Sequence, residues 1–369
     1  MTRQKNLPDY VFVPPDLAQR YAEVTHRGRY DLLPSEVEWR DRQEYLLQRG
    51  YLLRPRYSKD WQPSWIGTNI APHFCEDSII LSNYHVIDAT RQRDGMRVAI
   101  KVVPNDSQEL HISEYLASVQ GIDNHCVTAL DILSDPLSPQ KSLLVMPYLR
   151  PYNNPEFQMV GDVAEFVGQM LQGLAFLHRH RIAHRDIAPP NVMMDASPIY
   201  PDGHHPVRIH RAPDAVHDTH PLLRMDRPVK YFYIDFGLSV HFPVGAPSRV
   251  IGKVGRDTEI PEMSDTVPYD AYKADVHALG NLFFKEFDQR YSNVPFLRPL
   301  LDLMRHHDPD GRPSAEELVK MYNQMRALMQ EPTLRRRLVL SSEAAYERLF
   351  NDTVAVAREG INNLKRMVG

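Results

Sequence analysis

Four short segments carry side chains able to do chemistry, and they follow one another in a fixed order. They are Val98-Ala99-Ile100-Lys101, His184-Arg185-Asp186 with Asn191 five positions on, Asp235-Phe236-Gly237, and Asp275 with Gly280. The types are an amine, carboxylates and an amide. Oxygens such as those of Asp235 and Asn191 are the hard donors that Mg2+ prefers. Positioned cations and carboxylates around a phosphate do their work by charge neutralisation. Any one of these segments arises by chance; the ordered set does not.

The elements that must position them can be read from pattern. Residues 80–103 read as two β-strands with the turn signal Arg93-Asp94-Gly95, which puts Lys101 on a strand. A short helix is expected from Ser107 to Ser118, then strands over 127–134 and 142–148. Apolar residues at Val163, Phe166, Val167, Met170, Leu171, Leu174 and Leu177 make a helical stripe over 162–179, just before His184. A strand leads into Asp235, after a Pro- and His-rich stretch at 196–229 that reads as a solvated surface loop. Helices fill 271–328, one of them opened by a capping box of Ser314 and Glu317, and 342–366 has helical periodicity. Upstream, residues 1–30 look irregular. A helix then runs from a Ser35/Glu38 capping box to Gly50, and 51–78 reads as an extended segment packing on something larger. A strand-rich part precedes a larger helix-rich part, so the fold class is α+β.

In this order the segments resemble the signature set of protein kinases: strand lysine, catalytic loop, metal-binding Asp-Phe-Gly and the Asp of a buried helix. Pro261-Glu262 resembles the end of the Ala-Pro-Glu motif, and Arg312 stands where kinases place the arginine that pairs with that glutamate. The resemblance covers about residues 80–328. The leading segment, with Arg54-Pro55-Arg56-Tyr57 and Pro63-Ser64-Trp65, is similar to kinase-domain proteins of basidiomycete fungi. The resemblance implies a two-lobed fold, with a small antiparallel β N-lobe bearing one helix and a larger, mainly helical C-lobe. It divides the chain into an extension at 1–66, an N-lobe at 67–148, a C-lobe at 149–330 with an insertion at about 196–229, and a helical tail at 331–369.

It also implies ATP and Mg2+ as cofactors and a protein as substrate. Lys101 is then expected on the α- and β-phosphates, paired with Glu109 of the following helix, or alternatively with Glu114. Asn191 and Asp235 are the expected metal ligands. Asp186 is expected to orient the acceptor hydroxyl and take its proton, and His184 to support the Asp235 segment. Met146, Pro147, Tyr148 and Leu149 correspond to the gatekeeper and hinge, with Val86, Ala99 and Met193 sandwiching adenine. Arg185 is expected to meet a phosphorylated loop, with Ser239, Ser248 and Thr258 as candidate hydroxyls.

The pattern also breaks. Counting back from Lys101, the three phosphate-loop glycines fall on Ile79, Leu81 and Tyr84, although glycine is what lets backbone N–H groups approach phosphate. Ala188 stands where Ser/Thr kinases carry a lysine, and Gly255-Arg256-Asp257-Thr258-Glu259-Ile260 lacks the Gly-Thr and the aromatic usual before Ala-Pro-Glu. Three readings therefore stay open: a Ser/Thr protein kinase, a pseudokinase acting as a binding scaffold, and a small-molecule kinase. The last usually lacks an intact Asp-Phe-Gly and the Asp275–Gly280 type of segment.

Composition bounds the rest. The 369 residues are 43% hydrophobic and 24% charged with a net charge of -4, which argues against general nucleic-acid affinity. No stretch nears the roughly 18 apolar residues of a membrane span. Two cysteines, Cys75 and Cys126, make neither a disulfide framework nor a zinc spacing, and no leader is evident, so a reducing compartment, cytoplasm or nucleus, is expected. His204, His205, His210, His217 and His220 match no zinc pattern. Arg335, Arg336 and Arg337 read as a solvated helix face, and Trp39, Trp61 and Trp65 as packing anchors.

Overall fold

The computed structural model describes residues 7–81, 85–119 and 121–353. The chain divides into two compact units. The first gathers the described residues of Met1–Ser118, Thr128–Leu149 and Ala196–Leu222, and the second those of Val119–Val127, Arg150–Asp195 and Leu223–Gly369.

In the first unit, helices α1 (Pro15–His26) and α2 (Pro34–Gln48) precede a five-stranded antiparallel sheet of β1 (Tyr51–Leu52), β2 (Val86–Arg91), β3 (Arg97–Pro104), β4 (Asp131–Ser134) and β5 (Lys141–Pro147). The strand order is β1-β2-β3-β5-β4, and helix α3 (Gln108–Ser118) follows β3. The β2–β3 turn closes through Gly95, whose φ of 72 suits a residue without Cβ.

Alternation along β3 decides what each face meets. Val98 and Ile100 point into a core shared with Ile87, Leu143 and Val145, and with Trp39, Leu46, Tyr51, Leu53 and Tyr57 from upstream. Val103 points to the other face, against Leu110 of α3 and Leu144. The extension at 1–66 thus supplies much of this unit's core, and the tryptophan at 39 is the anchor that the sequence suggested.

Buried ion pairs fix the extension in place. Arg56, fully buried, donates from Nε and Nη2 to Glu36 at 2.7 and 2.8 Å, while its Nη1 donates to the Asp77 carbonyl at 2.8 Å. Arg42 forks onto Asp135 at 2.9 and 2.7 Å. Burial alone would raise the Glu36 carboxyl. The Arg56 hydrogen bonds and charge and the Leu33 N–H outweigh it and hold the group below its ordinary 4.5.

Three local expectations need correction. Residues 15–26 form a helix rather than irregular chain, opened by Pro15 in the first turn, where proline is favoured. Helix α2 starts at Pro34, one residue ahead of Ser35. Its capping carboxylate is therefore Glu36, which accepts from Leu33 N–H at 3.0 Å, while Glu38 pairs with Arg42 at 3.2 Å. The histidine-rich stretch is an irregular loop as expected, but it is only partly solvated. Residues Ala196–Leu222 pack in the first unit with Ile199, Tyr200, His205 and Val216 buried. Its apolar residues interrupt the polar run and find partners: Tyr148 Oη donates to the Pro206 carbonyl at 2.8 Å.

The second unit is mainly helical: α4 (Val160–Arg179), α5 (Ala271–Phe283), α6 (Arg298–Met304), α7 (Ala315–Ala327) and α8 (Glu331–Leu334). Short strands β6 (Arg150–Pro151), β8 (Val192–Asp195) and β9 (Lys230–Tyr233) form one ribbon. Strand β7 (Ile182–Ala183) pairs with β10 (Val240–His241), and β11 (Arg249–Val250) with β12 (Tyr269–Asp270). Helix α4 is the hub, with Phe166, Met170, Leu171 and Leu174 fully buried along its stripe. It approaches α7 so closely that a Cβ on Gly168 would lie 2.7 Å from the Tyr322 ring. Helix α7 opens on the Ser314/Glu317 box, Ser314 N–H donating to Glu317 at 2.8 Å. Residues 345–353 are helical; the remainder of the 342–366 expectation lies outside the described residues. Cys75 and Cys126 are free and buried. No helix among the described residues is long and apolar enough to cross a membrane.

Two outcomes follow from buried charge. Replacing Arg56 with alanine leaves Glu36 ionised in the interior, and the expected loss is about 3–5 kcal/mol, read as a lower urea midpoint. His277 on α5 is held to about 4 from its ordinary 6.5, first by burial and then by the charge of Arg312. Below pH 6.5 the unfolded chain therefore takes up a proton that the folded chain refuses, and stability falls as pH drops from 6.5 towards 4. His277→Gln should lose that part of the pH dependence, measured by melting across the window.

Candidate active site

Lys101 lies on β3 and Glu109 in the first turn of α3, on the face of the sheet that α3 covers. The ammonium sits 2.6 and 2.9 Å from the two Glu109 carboxylate oxygens. The alternative partner, Glu114, is exposed on the same helix. Register then ranges the other residues around Lys101: Val86 opposite Lys101 itself, Met146 opposite Ala99, and Pro147 opposite Val98. Met146, Pro147, Tyr148 and Leu149 are all half-buried, and Tyr148 N–H donates to the Arg97 carbonyl at 3.2 Å.

The stretch aligned with a phosphate-binding hairpin is built differently. The strand that pairs with β2 is Tyr51–Leu52, so residues 53–85 all intervene between the two strands. Within that excursion Ile79 is buried and its carbonyl accepts from Arg54 at 3.0 Å, and Leu81 packs on the core of the sheet. Tyr84 lies outside the described residues. Side chains fill the space that glycines would leave open.

In the second unit the chemistry-bearing residues share one scaffold. Asp275, 1% exposed on α5, accepts the N–H groups of His184 and Arg185 at 2.8 Å each and faces His178 Nε2 at 3.1 Å. This holds Arg185 at a φ of 65, a left-handed conformation costly for a side chain with Cβ. The His184 ring is fully buried. Its Nδ1 accepts the Asp186 N–H at 3.2 Å, so Nε2 carries the proton and donates to the Ile234 carbonyl at 3.1 Å. Burial lowers its pKa, in keeping with the neutral ring that this pattern requires.

The same ring packs 5.5 Å from Phe236, next to Asp235, which is half-buried and left-handed at φ 65. Asn191 Nδ2 donates to the Asp186 carboxylate at 2.7 Å and to its carbonyl at 2.9 Å. With its amide hydrogens so used, the oxygen is the atom that Asn191 has for a hard cation. Asn191 also accepts Ile234 N–H through its carbonyl, which ties the two loops together, and Met193 on β8 faces Phe232 on β9.

The segment after Asp235 is pinned at both ends. Arg312, buried, forks onto Glu262 at 2.5 and 2.9 Å and also donates to the Lys273 and His306 carbonyls. At the other end Ser239, also buried, donates to the His184 carbonyl at 2.9 Å. Of the other candidate hydroxyls, Ser248 donates to Asp270, whereas Thr258 is exposed.

One neighbour of Asp186 escaped the reading of the sequence. The Arg256 N–H donates to Asp186 Oδ1 at 2.7 Å, and its Nε lies 3.5 Å from Oδ2. Its shorter contact is made by the main chain, which residue type does not signal.

A buried histidine, an acid held by an asparagine, a left-handed aspartate beside a phenylalanine and a strand lysine paired with a helix glutamate are the parts of one family's machinery. Residues 83–296, more than half of the chain, match the family model of the protein kinase domain. The chain belongs to the protein kinase domain family.

Proposed function

We propose that the protein is an ATP- and Mg2+-dependent kinase that phosphorylates Ser or Thr hydroxyls of other proteins. The observation that carries this is the Asp186 carboxylate, held at 2.7 Å by Asn191 on the loop that the Asp275 clamp sets. A carboxylate kept in place by a neutral donor is an acceptor for a proton, and proton transfer needs such geometry first. Asn191 and Asp235 offer the amide and carboxylate oxygens that fit Mg2+, which when bound neutralises charge on the phosphates. Lys101, oriented by Glu109, holds the α- and β-phosphates. Val86, Ala99 and Met146 give adenine apolar faces, and the backbone of Pro147, Tyr148 and Leu149 meets its edge.

A second reading has its own observation. Ile79 and Leu81 are packing residues where phosphate-binding backbone is usual, which favours a scaffold that binds partners without turnover.

A thermal-shift titration with ATP, with and without Mg2+, separates the two. The expected result is a metal-dependent rise in melting point, since a ligand selective for the folded state stabilises it by about 2.7 kcal/mol at a hundred times its Kd. No rise at millimolar ATP favours the scaffold. Asp235→Ala should lose the Mg2+-dependent part of the rise. Asp186→Asn should keep the rise and lose radiolabel transfer to a protein acceptor; surviving turnover would remove Asp186 from the role of base.

A further inference from the structure

Phosphoryl transfer breaks the bond from the γ-phosphorus to the β,γ-bridging oxygen, which leaves on ADP with the electron pair. A bond forms to the acceptor hydroxyl oxygen, whose proton goes to Asp186. Charge on the transferring group lies beside Asp186 throughout, and a cation there stabilises it. In this chain the residue two positions after Asp186 is Ala188, a buried methyl group that can supply none.

Arg256 lies beside Asp186 instead. Its Nε is 3.5 Å from Asp186 Oδ2, and its backbone N–H is bonded to Oδ1 at 2.7 Å. The preceding residue makes this approach fit. Gly255 has a φ of 95, and a Cβ there would lie 2.6 Å from the Arg185 carbonyl oxygen and 3.3 Å from Asp186 Oδ1. A side chain at 255 would therefore push Arg256 away from the carboxylate. The other nearby arginine is committed, since Arg185 donates from its Nη atoms to the Leu238 and Ile251 carbonyls at 3.5 and 3.2 Å. The Arg256 side chain is 55% exposed, so its guanidinium reaches solvent while its backbone stays fixed. Its Nε faces Asp186, and the outer edge of the planar fork can take phosphate oxygens, a geometry to which arginine is well suited.

We propose that Arg256, reaching back from the segment between Asp235 and Glu262, is the catalytic cation on the transferring phosphoryl group, in place of a lysine at position 188. The inference rests on the kinase reading above. It makes the substrate-facing segment part of the catalytic apparatus, so that the position of this segment sets turnover as well as acceptor binding.

The test is steady-state phosphotransfer with Mg2+-ATP and a generic protein acceptor, on full-length wild type, Arg256→Ala, Arg256→Lys and the double variant Arg256→Ala/Ala188→Lys. Removal of one positioned transition-state donor typically lowers kcat about 10²–10³-fold. Arg256→Ala should show such a fall with KM for ATP unchanged and the Mg2+-ATP thermal shift intact, because its backbone N–H remains. Arg256→Lys should retain most of the turnover, and Ala188→Lys should restore at least tenfold in the Arg256→Ala background. Active wild type with Arg256→Ala within about twofold of it overturns this inference and leaves the kinase reading standing. Loss that is equal in Arg256→Ala and Arg256→Lys, with no recovery from Ala188→Lys, also overturns it, because a cation at this place would then be irrelevant. Wild type no faster than Asp186→Asn overturns both.

Discussion

The carboxylate of Asp275 is the constraint on which the second unit's candidate site depends. It sits almost wholly buried on α5 and spends both oxygens on two consecutive backbone N–H groups. An ionised group in the interior needs partners, and these supply them. The bonds force Arg185 into a left-handed turn, which swings the chain so that Asp186 emerges beside Asn191. From the same turn His184 reaches the Ile234 carbonyl and so fixes the loop that ends in Asp235. One buried acid on a helix thus sets two loops.

The small unit solves a different problem. A five-stranded sheet with a single helix covers only one of its faces, and the exposed face would be a large apolar patch. The extension closes it, laying Trp39, Leu46, Leu53 and Tyr57 against Ile87, Val98 and Ile100. Charged side chains inside this layer survive because each is paired: Arg56 with Glu36, Arg42 with Asp135, Arg54 with Asp88 and Glu76. Residues 36–57 are therefore part of the core beneath the strand that carries Lys101 rather than an appendage.

Much of this was legible in the sequence. The strand carrying Lys101, the stripe of α4 and the Ser314 box have strong local periodicity or capping chemistry, and they stand within a few residues of where pattern puts them. The Glu109 pair and the Glu262–Arg312 fork were also within reach, since motif order implies them. What escaped depends on contacts distant in sequence. Pro15–His26 is a different case: its first-turn proline is a local helix signal that the reading of the sequence passed over, although the helix buries no residue. The Pro- and His-rich residues read as solvated because their partners lie far away in sequence: Tyr10 Oη donates to the carbonyl of Val216, a residue that is itself buried. Arg256 was hidden for another reason: its main-chain N–H makes the shorter contact, and any residue type but proline offers one.

The small unit's edge strand is Tyr51–Leu52, and its partner begins only at Val86. Arg42 and the Asp135 that neutralises it are 93 positions apart. Loop closure precedes the reward for such contacts, so the extension is among the last parts of its unit to settle. On a ribosome it emerges before the strands it covers, since Leu143 and Val145, against which it packs, follow about a hundred residues later, several seconds at ordinary rates of synthesis. For that interval Trp39, Leu46 and Tyr57 have no sheet to cover, and the nascent chain carries them as exposed apolar surface.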